Sequence, residues 1–144
     1  MASTIPKEND VLLNTVSNTL EVWVEPDSAV TRSQSLCARR RIKGSTFVIG
    51  RRRSGISCIS LNPPDLYVAQ REPYSISKRH CMIKIKNDHV YIKDLNSRHG
   101  TVINDYRFGN SLNGVSIIKL CAGVYSLMLG IRSDNIKFRL VINN

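Results

Sequence analysis

The chain has no apolar run approaching the roughly 18 residues that cross a membrane as a helix. It also lacks the cationic start, apolar stretch and small-residue cleavage site of a secretory leader. No membrane partner is therefore expected. The four cysteines, Cys37, Cys58, Cys81 and Cys121, form no Cys-x-x-Cys and no Cys/His pair at zinc spacing, which predicts buried free thiols in a reducing compartment. Aromatic residues make up only 6% and no long segment has helical period. That combination argues against a helical bundle and against base readout by a recognition helix or an aromatic platform. Acidic residues are scarce, 11 against 21 Lys and Arg, leaving a net charge of +10. Charge points to an anionic partner (nucleic acid, a phosphorylated protein or an acidic membrane surface) and alone does not choose among them.

Alternation is abundant. Leu20–Val24 puts Leu20, Val22 and Val24 on one face and is stopped by Pro26, residues 1–18 before it being polar and without period. Residues 26–38 read as a serine-rich loop, followed by the basic run Arg39-Arg40-Arg41-Ile42-Lys43. That run is either a nuclear-localisation or nucleic-acid patch or a solvated strand flank. Thr46–Gly50 is a short strand, and residues 54–76 read as a long loop with strand pieces at Ser57–Leu61 and Leu66–Val68. Residues 81–86 and 89–94 form a hairpin about Asn87-Asp88, with Cys81, Ile83, Ile85, Val90 and Ile92 on the core side. Thr101–Ile103, Val115–Leu120, Val124–Leu129 and Ile136–Ile142 complete the set. Many short strands between turns predict an all-β sandwich or barrel spanning residues 19–144 behind a flexible arm, residues 1–18.

Antiparallel pairing of the hairpin brings the loop carrying Ser77 and His80 beside the loop carrying Ser97, His99, Gly100 and Thr101. Catalysis is not expected there. Ser77, His80 and Cys81 are close in sequence, but nothing supplies an orienting acid or an oxyanion site. His80, His89 and His99 have no metal-ligand spacing, so neither metal nor cofactor is expected.

Three motifs in order carry a resemblance: Phe47-Val48-Ile49-Gly50-Arg51 closing a strand, Ser77-Lys78-Arg79-His80 before the hairpin, and Asp94-Leu95-Asn96-Ser97-Arg98-His99-Gly100-Thr101 with Asn104 after it. The chain resembles a forkhead-associated (FHA) domain from about Leu20 to Ile142. The resemblance implies a β-sandwich of two antiparallel or mixed sheets whose loops at one end bind phosphothreonine peptides. It implies that Arg51 faces the phosphate, a task suited to a planar fork that never loses its charge. Ser77 either donates its hydroxyl to the same phosphate or bonds its own turn. Lys78 and Arg98 add charge beside the peptide, and Asn104 holds either the peptide main chain or its own turn. Gly50, His80, Ser97, Gly100 and Thr101 are implied as structural, with His80 tying the loops together. His99 stands where the family has asparagine; neutral, it mimics an amide's donor and acceptor with a different reach, and protonated it adds charge. The 54–76 loop is longer than a compact member needs.

The function this implies is a phosphothreonine-dependent protein–protein recognition module, the N-terminal domain of a larger signalling, cell-cycle or DNA-damage protein, resident in the nucleus or in nucleus and cytoplasm. Its partner is expected to be acidic or multiply phosphorylated around the phosphothreonine. The alternative is a degenerate FHA scaffold that binds nucleic acid or an acidic protein surface through its basic face, independently of phosphate.

Overall fold

A computed structural model describes residues 20–34, 37–52, 64–110 and 113–144. The expected arm, residues 1–18, and the expected strand piece Ser57–Leu61 lie outside them.

The alternating segments pair into two sheets. β1 (Glu21–Pro26), β2 (Arg40–Arg41), β7 (Thr101–Ile103), β8 (Tyr106–Phe108), β10 (Gly123–Leu129) and β11 (Ile136–Asn143) form a six-stranded sheet in the order β2-β1-β11-β10-β7-β8. β3 (Thr46–Arg51), β4 (Leu66–Val68), β5 (Cys81–Lys86), β6 (His89–Asp94) and β9 (Ile117–Leu120) form the second, in the order β4-β3-β5-β6-β9. Only β3–β4 pairs in parallel among the described strands, so the second sheet is mixed. Val22, Val24, Leu127, Leu129, Phe138 and Leu140 from one sheet bury themselves against Phe47, Ile49, Ile83 and Ile92 of the other. Burying every second side chain of a strand is what a period of two produces, and β11 shows it over its full length. The fold is the expected all-β sandwich.

Asn87 and Asp88 both take left-handed φ, 52° and 61°, as the two-residue turn that best matches strand twist requires. Cys81 opens β5 directly opposite Asp94 at the close of β6. The loops before β5 and after β6 therefore leave the sheet at the same end.

Four features depart from the sequence reading. Residues 26–38 are not all loop: Ala29–Arg32 forms a single helical turn, α1. Ser28 Oγ accepts from Thr31 N at 3.2 Å, and Thr31 Oγ1 accepts from Ser28 N at 3.1 Å. This reciprocal cap uses threonine where glutamate is usual, and one turn is too short to show a period. The basic run contributes β2, a two-residue edge strand. β8 was not foreseen, because Tyr106-Arg107-Phe108 is too short and too polar to announce itself. Cys121 is exposed, unlike buried Cys37 and Cys81, because it lies just past Leu120 in the turn between β9 and β10. Cys58 lies outside the described residues.

Thr31 Oγ1 also donates to Lys137 O at 2.9 Å, and Ser28 Oγ to Asn135 O at 2.7 Å, fastening α1 to the start of β11. Thr31→Ala is expected to cost about 1–2 kcal/mol. Urea denaturation should show it as a lower midpoint at unchanged slope, with Thr31→Ser recovering most of the loss.

Candidate functional site

The site is assembled on the end of β3. Gly50 lies so near the next loop that a Cβ there would stand 1.9 Å from the backbone carbonyl oxygen of Lys78. Glycine alone allows that approach. Arg51 N then donates to Ser77 O at 3.0 Å, and His80 N to Ile49 O at 2.9 Å, so the Ser77–His80 loop is stitched to the strand on both sides of Gly50.

The Arg51 side chain is held at two points. Its Nε donates to Ile76 O at 3.0 Å, and the guanidinium carbon lies 3.8 Å from the centroid of the Tyr74 ring. No described residue accepts from its terminal nitrogens. A fixed guanidinium whose outer N–H groups meet no acceptor among the described residues is pre-organised for a planar oxyanion.

His80 is fully buried and joins the two loops. Its Nδ1 accepts from Ser77 N at 3.1 Å, so its Nε2 carries the proton and donates to Gly100 O at 2.7 Å. Burial pushes its pKa below the ordinary 6.5, and the bond to Gly100 and the charge of Asp94 only partly oppose this. Because the folded pKa lies below the unfolded one, the unfolded chain takes up a proton that the folded chain refuses. The neutral-histidine contribution is complete well above pH 6.5 and is lost as pH falls through and below that value. NMR of the imidazole nitrogens should show a neutral Nε2–H ring for His80 at pH 6.5 and somewhat below. A folded-state proton gained at or above pH 6.5 would contradict the assignment.

The second loop is built on Asp94, 3% exposed at the end of β6. Its carboxylate accepts from Ser97 N at 2.9 Å, Ser97 Oγ at 2.6 Å and Thr101 Oγ1 at 2.7 Å. Ser97 Oγ in turn accepts from Gly100 N at 2.9 Å, and Gly100 turns the chain at φ 81°. These bonds present the Arg98 amide to the first loop, where it donates to Ser77 Oγ at 3.0 Å. A serine hydroxyl that accepts there keeps its own proton to give away, and no described residue takes it.

Of the residues singled out from sequence, the fold brings Arg51, Ser77, Arg98 and His99 to this end, with Lys78 exposed in the Ser77–His80 loop. Gly50, His80, Ser97, Gly100 and Thr101 lie within the scaffold. Asn104 is not brought in. It sits in the β7–β8 turn at the far end of β7, about 10 Å along the chain from Thr101. There its Oδ1 accepts from Ser126 N at 2.8 Å while its own N–H donates to Ser126 O. Of the two roles left open for Asn104, the side chain occupies that of fixing its turn.

Sequence reasoning missed several neighbours. Arg107 on β8 donates through Nη1 to His99 O and, at 3.0 Å, to Gly130 O. Asn110 donates to Arg98 O at 2.6 Å. Arg98, His99, Arg107, Asn110, Ile131 and Arg132 line an open cleft of about 350 Å³ beside the loops. Arg107 and Asn110 were invisible because they arrive by way of β8. Tyr74 offered a weak signal, an aromatic residue three positions before Ser77.

The basic run behaves differently. Arg39 is paired with Glu25 at 2.7 Å and stacked on Trp23, Arg40 donates to Asp65 O, and Arg41 lies 3.5 Å from Glu21. It is a strand flank whose arginines have local partners.

A two-sheet sandwich with paired recognition loops at one end defines the class of protein. The chain belongs to the FHA domain family, whose model matches residues 47–120, from Phe47 on β3 to Leu120 at the end of β9. Among solved structures the fold is similar to the FHA domain of an Arabidopsis thaliana hypothetical protein, with a TM-score of 0.58 and 19% identity over 88% of this chain and 86% of that one. It is similar to full-length yeast Pml1p, with a TM-score of 0.58 and 20% identity over 98% of each chain. It is also similar to a structure described for phosphothreonine-dependent FHA domain interactions, with a TM-score of 0.51 and 18% identity over 86% of this chain and 96% of that one. No curated protein sequence matches.

Proposed function

We propose that the domain is a recognition module that binds a phosphothreonine-containing protein through Arg51, Ser77 and the Arg98 loop. The observation that carries this is the unspent hydrogen-bonding capacity of two fixed neighbours. Arg51 is immobilised by Ile76 O and Tyr74 with its terminal nitrogens unengaged among the described residues, and Ser77 Oγ accepts from Arg98 N while none of those residues takes its proton. A charged fork beside a neutral donor suits a phosphate dianion. FHA domains are phosphothreonine-binding modules as a family, and family membership supports the same conclusion.

The preference for acidic or multiply phosphorylated partners belongs to the proposal. Its support is the cleft whose walls carry Arg98, Arg107 and Arg132, with Lys78 exposed nearby. Selection of threonine over serine requires an apolar niche for one methyl group, worth roughly 1–3 kcal/mol. Nuclear residence, and membership of a larger cell-cycle or DNA-damage regulator, are further parts of the proposal and rest on the family alone. The test is calorimetric titration of peptides matched in sequence and bearing Thr, phosphoserine or phosphothreonine. Binding confined to phosphothreonine, and strengthened by flanking acids or a second phosphate, is the expected result. Equal affinity for the unphosphorylated peptide would overturn it.

A further inference from the structure

The net charge of +10 is not spread evenly over the sandwich. Every ion pair among the described residues joins Arg32, Arg39, Arg41 or Arg139 to Glu21, Glu25 or Asp27, on or beside the six-stranded sheet. The outer face of the five-stranded sheet is built differently. Cys81, Ile83, Val90, Ile92 and Leu120 point into the core, which turns Lys84, Lys86, His89, Tyr91, Lys93 and Lys119 outward. Register places Lys84 opposite Tyr91 and Tyr91 opposite Lys119, with Lys93 between Met82 and Ile117 in the next row. No outward position on β3, β5, β6 or β9 is a carboxylate, and none of the four lysines has an ion-pair partner among the described residues.

Adjacent strands lie about 4.8 Å apart, so Lys84 and Lys119 stand about 10 Å apart across the Tyr91 ring, and Lys84 and Lys86 about 7 Å apart along β5. Tyr91 is half-buried, which fixes its ring on the sheet with one part exposed. Flexible ammonium groups around an aromatic residue on a sheet face suit backbone phosphates and a stacked base, without sequence readout. We propose that this face binds single-stranded nucleic acid, with Lys84, Lys86, Lys93 and Lys119 on the phosphates and Tyr91 stacked on a base. An acidic peptide or an anionic membrane would use the lysines but offers no planar base for the ring to stack on. The basic run at Arg39–Arg41 takes no part, since its arginines already have partners. Arg51 closes β3 and Ser77 lies in the adjoining loop, both at the sheet's end, so this surface does not depend on the phosphothreonine site.

The test is fluorescence anisotropy of the whole chain with labelled oligothymidylate across a salt series. Neutralising four phosphates predicts a slope of about −3 for log affinity against log salt concentration. The quadruple variant K84Q/K86Q/K93Q/K119Q should flatten that slope and weaken binding at least about tenfold. Tyr91→Ala should weaken it by roughly 5- to 100-fold, and Tyr91→Phe should keep it. Phosphopeptide titration of the same variants should remain unchanged, which also reports that they fold. Three results would overturn the proposal. One is oligothymidylate affinity indifferent to the quadruple change. Another is an equal loss in R39Q/R41Q. The third is phosphatidylserine vesicles or polyglutamate losing binding in the quadruple variant while Tyr91→Ala changes nothing with oligothymidylate.

Discussion

Arg51→Ala is expected to weaken binding of a phosphothreonine peptide by one to two orders of magnitude. Hydrogen bonds to a charged group contribute ~1.5–3 kcal/mol each, and a factor of ten corresponds to ~1.4 kcal/mol. The native side chain forgoes little to meet a ligand. Its Nε is already bonded to Ile76 O and its plane already rests on Tyr74, so little rotamer freedom remains to be lost on binding. Arg51→Lys separates charge from shape. A lysine ammonium keeps the positive charge but lacks the fork and the planar stack on Tyr74, so an intermediate loss is expected. Either change also removes the Nε bond to Ile76 O and the ~0.5–1 kcal/mol contact with Tyr74, so a modest loss of stability accompanies the loss of binding. Calorimetry and urea denaturation on the same samples separate the two effects. Arg51→Ala binding phosphopeptide as tightly as the wild type would remove Arg51 from the site.

The loop scaffold around that candidate site was largely legible in the sequence, for a definable reason. Gly50, His80, Ser97 and Gly100 act through backbone geometry or close packing, which tolerate few residue types and so leave a sharp pattern in sequence. The hairpin was legible because Asn87-Asp88 separates two strands with clean alternation. What stayed hidden depends on pairing between distant segments. Arg107 reaches His99 O only because β8 folds back on β7, and three residues cannot display a period. α1 was hidden for a related reason, since its cap uses Thr31 where a glutamate would have signalled a helix start. The basic run shows the converse, since of the two readings left open for it the fold favours the strand flank. Arg39, Arg40 and Arg41 are conspicuous in sequence, yet Glu25, Asp65 and Glu21 engage them in the fold. The lysines of the five-stranded sheet are scattered through residues 84–119 and become a group only when three strands align. Charge in the Arg39–Arg41 run is thus locally matched, while the lysines assembled by the fold have no ion-pair partner among the described residues.

Asp94→Ala should have the largest effect on stability, a loss of about 3–5 kcal/mol. The carboxylate is buried without an ion pair among the described residues, and it is held instead by the Ser97 amide and the hydroxyls of Ser97 and Thr101. Removing it strands three buried donors at once, one of them on the main chain, and the cost of desolvating them is no longer offset. Against a typical domain stability of 5–15 kcal/mol, that loss brings the chain near its unfolding threshold at ordinary temperature. Asp94→Asn tests the chemistry without the cavity. The amide matches the shape but turns two N–H groups toward groups that already donate, so it should recover only part of the loss. The damage should also be directional. Ser97 Oγ fixes Gly100 N and thereby the Arg98 amide on Ser77 Oγ, so folded Asp94→Asn should bind phosphopeptide more weakly although Arg51 is untouched. Hydrogen exchange supplies the local measurement, with the Arg98 and Gly100 amides losing protection before those of β5 and β6. Uniform loss of protection across the sandwich would mean that Asp94 supports the core alone, and that the binding loops do not depend on it separately.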